Sequence, residues 1–178
     1  MKKLFCLFAV VVIALSFSLP MSDVSAKVIS TTITLSAEPR SMIVCAKEWS
    51  SGGVTHWRDC TVAIYYYSPD DIRIQGLSNI VMHRNIFAED AFTTNPLSFG
   101  LPAVGHGSWV LTPEAVEDGY WAGTFTANID DAGDMTVYLR GKGYGTLDGL
   151  FWDSVVYNMV GTSEGVITEL PSYDGPEP

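Results

Sequence analysis

Gly161-Thr162-Ser163-Glu164-Gly165 has the Gly-x-Ser-x-Gly spacing of a hydrolase nucleophile elbow, in which a serine on a sharp strand-to-helix turn attacks an acyl carbon. The surroundings do not fit. Val166-Ile167-Thr168 reads on as strand rather than helix, and no histidine follows His106 to serve as the base. His56, His83 and His106 stand too far apart for paired zinc-ligand spacing, so no metal site is expected from them. Asn128 to Asp134 places oxygen donors ahead of Gly133 in the manner of a calcium loop. The twelfth position is Leu139 where a bidentate glutamate is required, which leaves an acidic hairpin tip as the simpler account. The offset between Asp148 and Asp153 is odd, and a regular strand sends them to opposite faces, so they do not form a glycosidase-like pair. No residue qualifies as catalytic on these grounds, and no cofactor is implied.

The cysteines point to a structural role. Cys45 and Cys60 lie symmetrically about Ser51-Gly52-Gly53, the expected tip of a hairpin between Met42 to Trp49 and Val54 to Tyr67. Residues placed symmetrically about a hairpin tip face each other, so the sequence predicts a cross-strand disulfide. Its loop of about 15 residues would contribute roughly 3 kcal/mol. A reactive thiol pair would call for closer, Cys-x-x-Cys-like spacing.

The tryptophans carry the one positive hint of a site. Trp49, Trp57, Trp109, Trp121 and Trp152 fall on different predicted strands, and some of them must converge when the sheet curls. Alternation puts Trp121, Gly123 and Phe125 on one face of their strand, and Tyr120, Ala122 and Thr124 on the other. Core packing is the plainer account of these rings; on the functional reading Trp109, Trp121, Tyr144 and Trp152 are the expected ligand-binding residues, lining a cavity for a small apolar or aromatic molecule.

The elements that must position these residues are strands. Val28 to Leu35, Met42 to Trp49, Val54 to Tyr67, Ile72 to Phe87, Gly107 to Leu111, Tyr120 to Ile129, Met135 to Arg140, Tyr144 to Met159 and Gly165 to Leu170 are rich in β-branched and aromatic residues and bounded by turn formers. Ile72 to Phe87 reads as two strands or as one bent after Gly76, and Pro113 to Glu117 as a helical turn. Asp130 to Asp134 and Gly161 to Gly165 read as hairpin tips. Glycine inside a strand weakens it unless a bend or a close approach needs the missing side chain. The glycines of Gly119 to Asn128 and Arg140 to Leu150 thus predict a sheet curved enough to close. The expected fold is all-β, a single antiparallel β-barrel of about eight strands.

The N-terminus speaks to compartment. Lys2 and Lys3 precede an apolar run from Leu4 to Leu19, and Val24-Ser25-Ala26 supplies small residues for signal peptidase, so residues 1–26 read as a signal peptide cleaved after Ala26. The expected organisation is a secreted or periplasmic barrel domain over residues 27–170 with a proline-rich tail at 171–178. Of 10 basic and 20 acidic residues, Lys2, Lys3 and Asp23 fall in the leader, which leaves 8 basic against 19 acidic. That balance excludes nucleic acid and acidic lipid surfaces as expected partners. The mature part has no apolar run long enough for a membrane span. Ala88 to Gly105, with Asn95-Pro96 and Leu101-Pro102, stands outside the strand rhythm as a long loop.

Asp71-Ile-Arg73-Ile-Gln-Gly76, Gly107-Ser-Trp109, Gly119-Tyr-Trp-Ala-Gly-Thr124, Arg140-Gly-Lys-Gly-Tyr-Gly145, Leu147-Asp-Gly-Leu150 and Gly165-Val-Ile167 together resemble a group of secreted proteins with allene-oxide-cyclase-like, calycin-type barrels. The resemblance spans Ser68 to Leu170 and implies a fold rather than an activity. Leu147-Asp148 ahead of Gly149-Leu150 and the Ala88 to Gly105 insertion depart from the group's pattern, and no cyclase residue is carried over. Non-catalytic binding in the barrel mouth is the leading expectation. A cofactor-free isomerase or cyclase, for which His106, Asp148 and Arg73 are the ionisable candidates, is the alternative, as is an interaction protein of the cell envelope.

Overall fold

The computed structural model describes residues 28–92, 101–157 and 162–170. Its strands are β1 (Ile29–Pro39), β2 (Val44–Ser51), β3 (Val54–Tyr67), β4 (Gly76–Ile86), β5 (Ala103–Pro113), β6 (Gly119–Ile129), β7 (Met135–Gly145), β8 (Leu150–Tyr157) and β9 (Thr162–Glu169). A 3-10 turn at Ile72–Ile74 is the only helical element among the described residues. No helix there is long and apolar enough to cross a membrane. The expected leader, its cleavage point, the tail at 171–178 and the middle of the long loop lie outside the described residues.

All nine strands form one antiparallel sheet that closes in a ring. β3 to β9 lie side by side in chain order, and β1 bridges the two ends. Its first part, Ile29 to Ser36, pairs with Glu169 to Thr162 of β9; its last part, Ser36 to Pro39, pairs with Tyr67 to Ile64 of β3. Eight strands thus complete the circuit. β2 is a ninth, running along the other half of β3 from Val44 opposite Thr61 to Ser51 opposite Val54.

Local chemistry explains the corners. Gly52 and Gly53 both have positive φ, 59° and 78°, which lets a two-residue turn join β2 and β3 with the right twist. Between β6 and β7 the Asp130 carboxylate accepts from the Ala132 and Asp134 N–H groups, both at 2.9 Å, so the acidic tip holds its own turn. Tight curvature is where the strand glycines matter. A Cβ on Gly141 would stand 2.5 Å from the Trp109 ring, so the indole can enter the core only because that side chain is missing.

Several sequence expectations change. Ile72 to Ile74 is not strand, because the Asp71 carboxylate accepts from Arg73 N–H at 2.9 Å and pulls the chain into a turn before β4 starts at Gly76. Pro113 to Glu117 leads into turns rather than a helix, with Asp118 at φ 55° just before β6. Tyr144 belongs to β7, one residue before its end, instead of starting β8, and the chain then turns through Gly149 at φ 85°. Gly165 is not a hairpin tip; it lies within β9, opposite Ile33 on one side and Ser154 on the other. Ala103 to Gly105 belongs to β5, so the long connection is shorter than its composition suggests.

The interior divides along the ring axis. At the end where β5 and β7 finish and β6 and β8 begin, Trp109, Trp121, Trp152 and Ile74 are almost completely buried. At the other end a smaller group, including Trp57, Cys60, Ile86 and Ile129, lines the wall beneath β2.

Candidate functional site

Between those groups lies a cavity of about 570 Å³ that opens to solvent. Val62 and Ile64 of β3, Ile80 and Met82 of β4, and Val137 and Leu139 of β7 supply much of its wall. Each lies on the inward-facing register of its strand, which is why apolar residues of middling size stand there. Phe125, Tyr66 and Val156 border the side facing the tryptophans. Ala37, Ala103, Gly105 and Ala127 are small, and the missing bulk at these positions is what leaves the space.

The rim is made by the connection from β1 to β2. Pro39, Ser41, Met42 and Ile43 border the cavity, and Met42 is 79 % exposed. Two hydrogen bonds tie this connection to β3: Arg40 N–H donates to the Ala63 carbonyl at 2.8 Å, and Ala63 N–H donates to Ser41 Oγ at 2.9 Å.

Among the described residues Arg84 is the one ionised side chain on the wall, and it is buried. Its guanidinium sits 5.2 Å from the centre of the Trp57 ring, and burial pushes its pKa down to about 10, so it keeps its charge at neutral pH. Burial also pushes the Tyr66 phenol up, so the hydroxyl stays protonated. The wall thus offers an apolar surface with few polar groups and no carboxylate.

Three of the four sequence-predicted ligand residues converge, but away from the cavity wall. Trp152 packs edge-on against Trp109 at 5.0 Å, Trp121 at 5.9 Å and Tyr66 at 5.7 Å between ring centres. The Trp109 indole N–H donates to the Thr124 carbonyl at 3.1 Å, and that of Trp121 to the Arg73 carbonyl at 2.7 Å. These contacts fix two of the rings within a packed interior. Tyr144 is on the outer face, stacked on Tyr120 at 5.0 Å with the Lys142 ammonium 5.5 Å from its ring. Of the tryptophans, Trp57 is the one that borders the cavity.

The ionisable candidates for a cyclase also lie elsewhere. Asp148 is exposed and paired with Lys142 at 3.2 Å, which holds its carboxyl below the usual range. His106 packs against His83 at 5.3 Å, and the exposed imidazole looks outward. Arg73 pairs with Asp71 at the tryptophan-filled end. Burial works against the charge of Asp71, but hydrogen bonds from Arg73 outweigh it and hold the carboxyl below its ordinary value. None of the three borders the cavity. Among the described residues no group of three or more His, Cys, Asp or Glu side chains is disposed to hold a metal ion.

Cys45 and Cys60 form the disulfide expected from their placement, directly opposite each other on β2 and β3. No family model and no curated protein matches the chain.

Proposed function

We propose that the closed sheet is an up-and-down β-barrel of the calycin type, working outside the cytoplasm, that binds a small apolar molecule in its open half without transforming it. The strand order supports the barrel reading, since neighbours in the ring are neighbours in the chain from β3 to β9. The disulfide supports an oxidising compartment.

One observation carries the binding reading: the interior is packed with three tryptophans at one end and leaves a cavity beyond them, where the wall is apolar and reachable from solvent. A space of this volume matches what small-molecule sites need. An apolar wall with little hydrogen-bonding capacity favours a ligand that is itself mostly hydrocarbon or aromatic, because a strongly polar one would lose its hydration without replacement partners.

The test is titration with a neutral apolar fluorophore such as Nile red. The expected result is saturable one-to-one binding by the wild-type protein, weakened at least tenfold by Ala127→Leu, which places added side-chain bulk into the cavity. Absence of saturable binding, or equal affinity in both proteins, contradicts it.

A further inference from the structure

The eight-strand circuit closes without β2. β1 meets β3 through Ser36 to Pro39, and β2 occupies only the remaining half of β3, hydrogen-bonded to no other described strand. None of its eight residues is fully buried. A strand held along one edge, with no apolar side chain sunk in the core, is marginal by itself. Beyond the Gly52-Gly53 turn, the Cys45–Cys60 bond is the covalent cross-link that holds it to the wall, and it lies close to the cavity rim: Ile43 lines the cavity, and Ile43 and Cys45 pack against the cluster that contains Cys60.

We infer that this disulfide is a redox latch on the cavity mouth. In the oxidised protein β2 and the Pro39 to Ile43 rim are fixed on β3; in the reduced protein they loosen, the mouth widens and a bound apolar molecule escapes faster. The inference rests on the binding role proposed for the cavity. The chemistry needs a dithiol reductant. Cys60 is completely buried whereas Cys45 is half-buried, so the first thiolate attacks Cys45 Sγ, the Cys45–Cys60 bond breaks and Cys60 leaves as the thiolate. The reductant's second thiol then displaces Cys45 and closes as a cyclic disulfide. Two electrons and two protons pass to the protein, which ends with two thiols. The ring itself is expected to survive, since its closure does not pass through β2.

The test compares the protein with and without dithiothreitol by backbone hydrogen exchange and by the dissociation rate of Nile red. The latch predicts at least tenfold faster exchange over residues 40–51, unchanged exchange in β5 to β8, and at least tenfold faster dye release. Cys45→Ser with Cys60→Ser is expected to behave as the reduced protein; should that double variant not fold, the reduction experiment on the native chain decides alone. Unchanged exchange over 40–51 overturns the inference, as does loss of protection throughout the ring, which would make the bond a staple of the whole fold. Faster exchange over 40–51 with unchanged dye release overturns the latch alone. Failure of the oxidised protein to bind dye overturns the binding role and the latch together.

Discussion

Along β6 the inward side chains run Trp121, Gly123, Phe125, Ala127, Ile129 from one end of the ring to the other, and along β8 they run Leu150, Trp152, Ser154, Val156. The same alternation governs both ends, but bulk is concentrated at one. Where the tryptophans start the strands, rings lie edge to face and the neighbouring backbone comes in close at glycine; towards the other end alanine, valine and isoleucine leave a cavity of about 570 Å³. Closing a sheet does not settle whether its interior is full. That is decided by side-chain volume at inward positions.

Truncation should therefore cost more at the packed end than at the open one. The largest effect is expected for Trp152→Ala, which empties the centre of the packed end and should lower stability by about 3–5 kcal/mol in denaturant unfolding. Ile80→Ala on the cavity wall removes a side chain that already lacks neighbours on one side, and should fall at about 2 kcal/mol, the low end for such truncations. A comparable loss at both positions would break the comparison.

Adding bulk should reverse the usual expectation. Gly141→Ala adds one carbon against Trp109 and is predicted to cost about 1–3 kcal/mol. Ala127→Leu adds three carbons at the open end and should leave the unfolding free energy within about 1 kcal/mol of wild type. A larger penalty for Ala127→Leu than for Gly141→Ala would show that the open end is already filled.

The smallest effect concerns pH. The folded carboxyl of Asp71 is held below its ordinary value by Arg73, so its contribution to stability is fully present above the unfolded pKa of about 3.9 and is lost as pH falls through the lower folded value. The stability difference between wild type and Asp71→Asn, measured by thermal unfolding, should be constant above about pH 5 and shrink steadily below pH 4. A difference that persists unchanged to pH 2 would assign it to the hydrogen bond on Arg73 N–H rather than to the charge.

Much of this architecture was readable in the residues. The hairpin around Gly52-Gly53 and the facing cysteines followed from symmetry about a turn, and the face shared by Trp121 and Phe125 from a period of two. The strand glycines announced curvature. The four residues named for ligand binding do not border the cavity, because large aromatic residues mark where volume is occupied, whereas a cavity is a deficit of volume spread over several strands. Ala37, Ala103, Gly105 and Ala127 come together only once the register is known, and each alone looks like an ordinary inward residue. The absence of tryptophan from the inward positions of β6 and β8 beyond Trp121 and Trp152 was a signal that could have located the space. The turn at Ile72–Ile74 was masked by its two isoleucines, whose strand preference yields to the Asp71 cap.

The most direct measurement is side-chain NMR of the protein as a neutral apolar molecule is added to saturation. The account predicts that methyl signals of Val62, Ile80, Val137 and Val156 shift together, while the indole N–H signals of Trp109 and Trp121 stay in place. Movement of those indole signals with unperturbed methyls, or no saturable change anywhere, would contradict it.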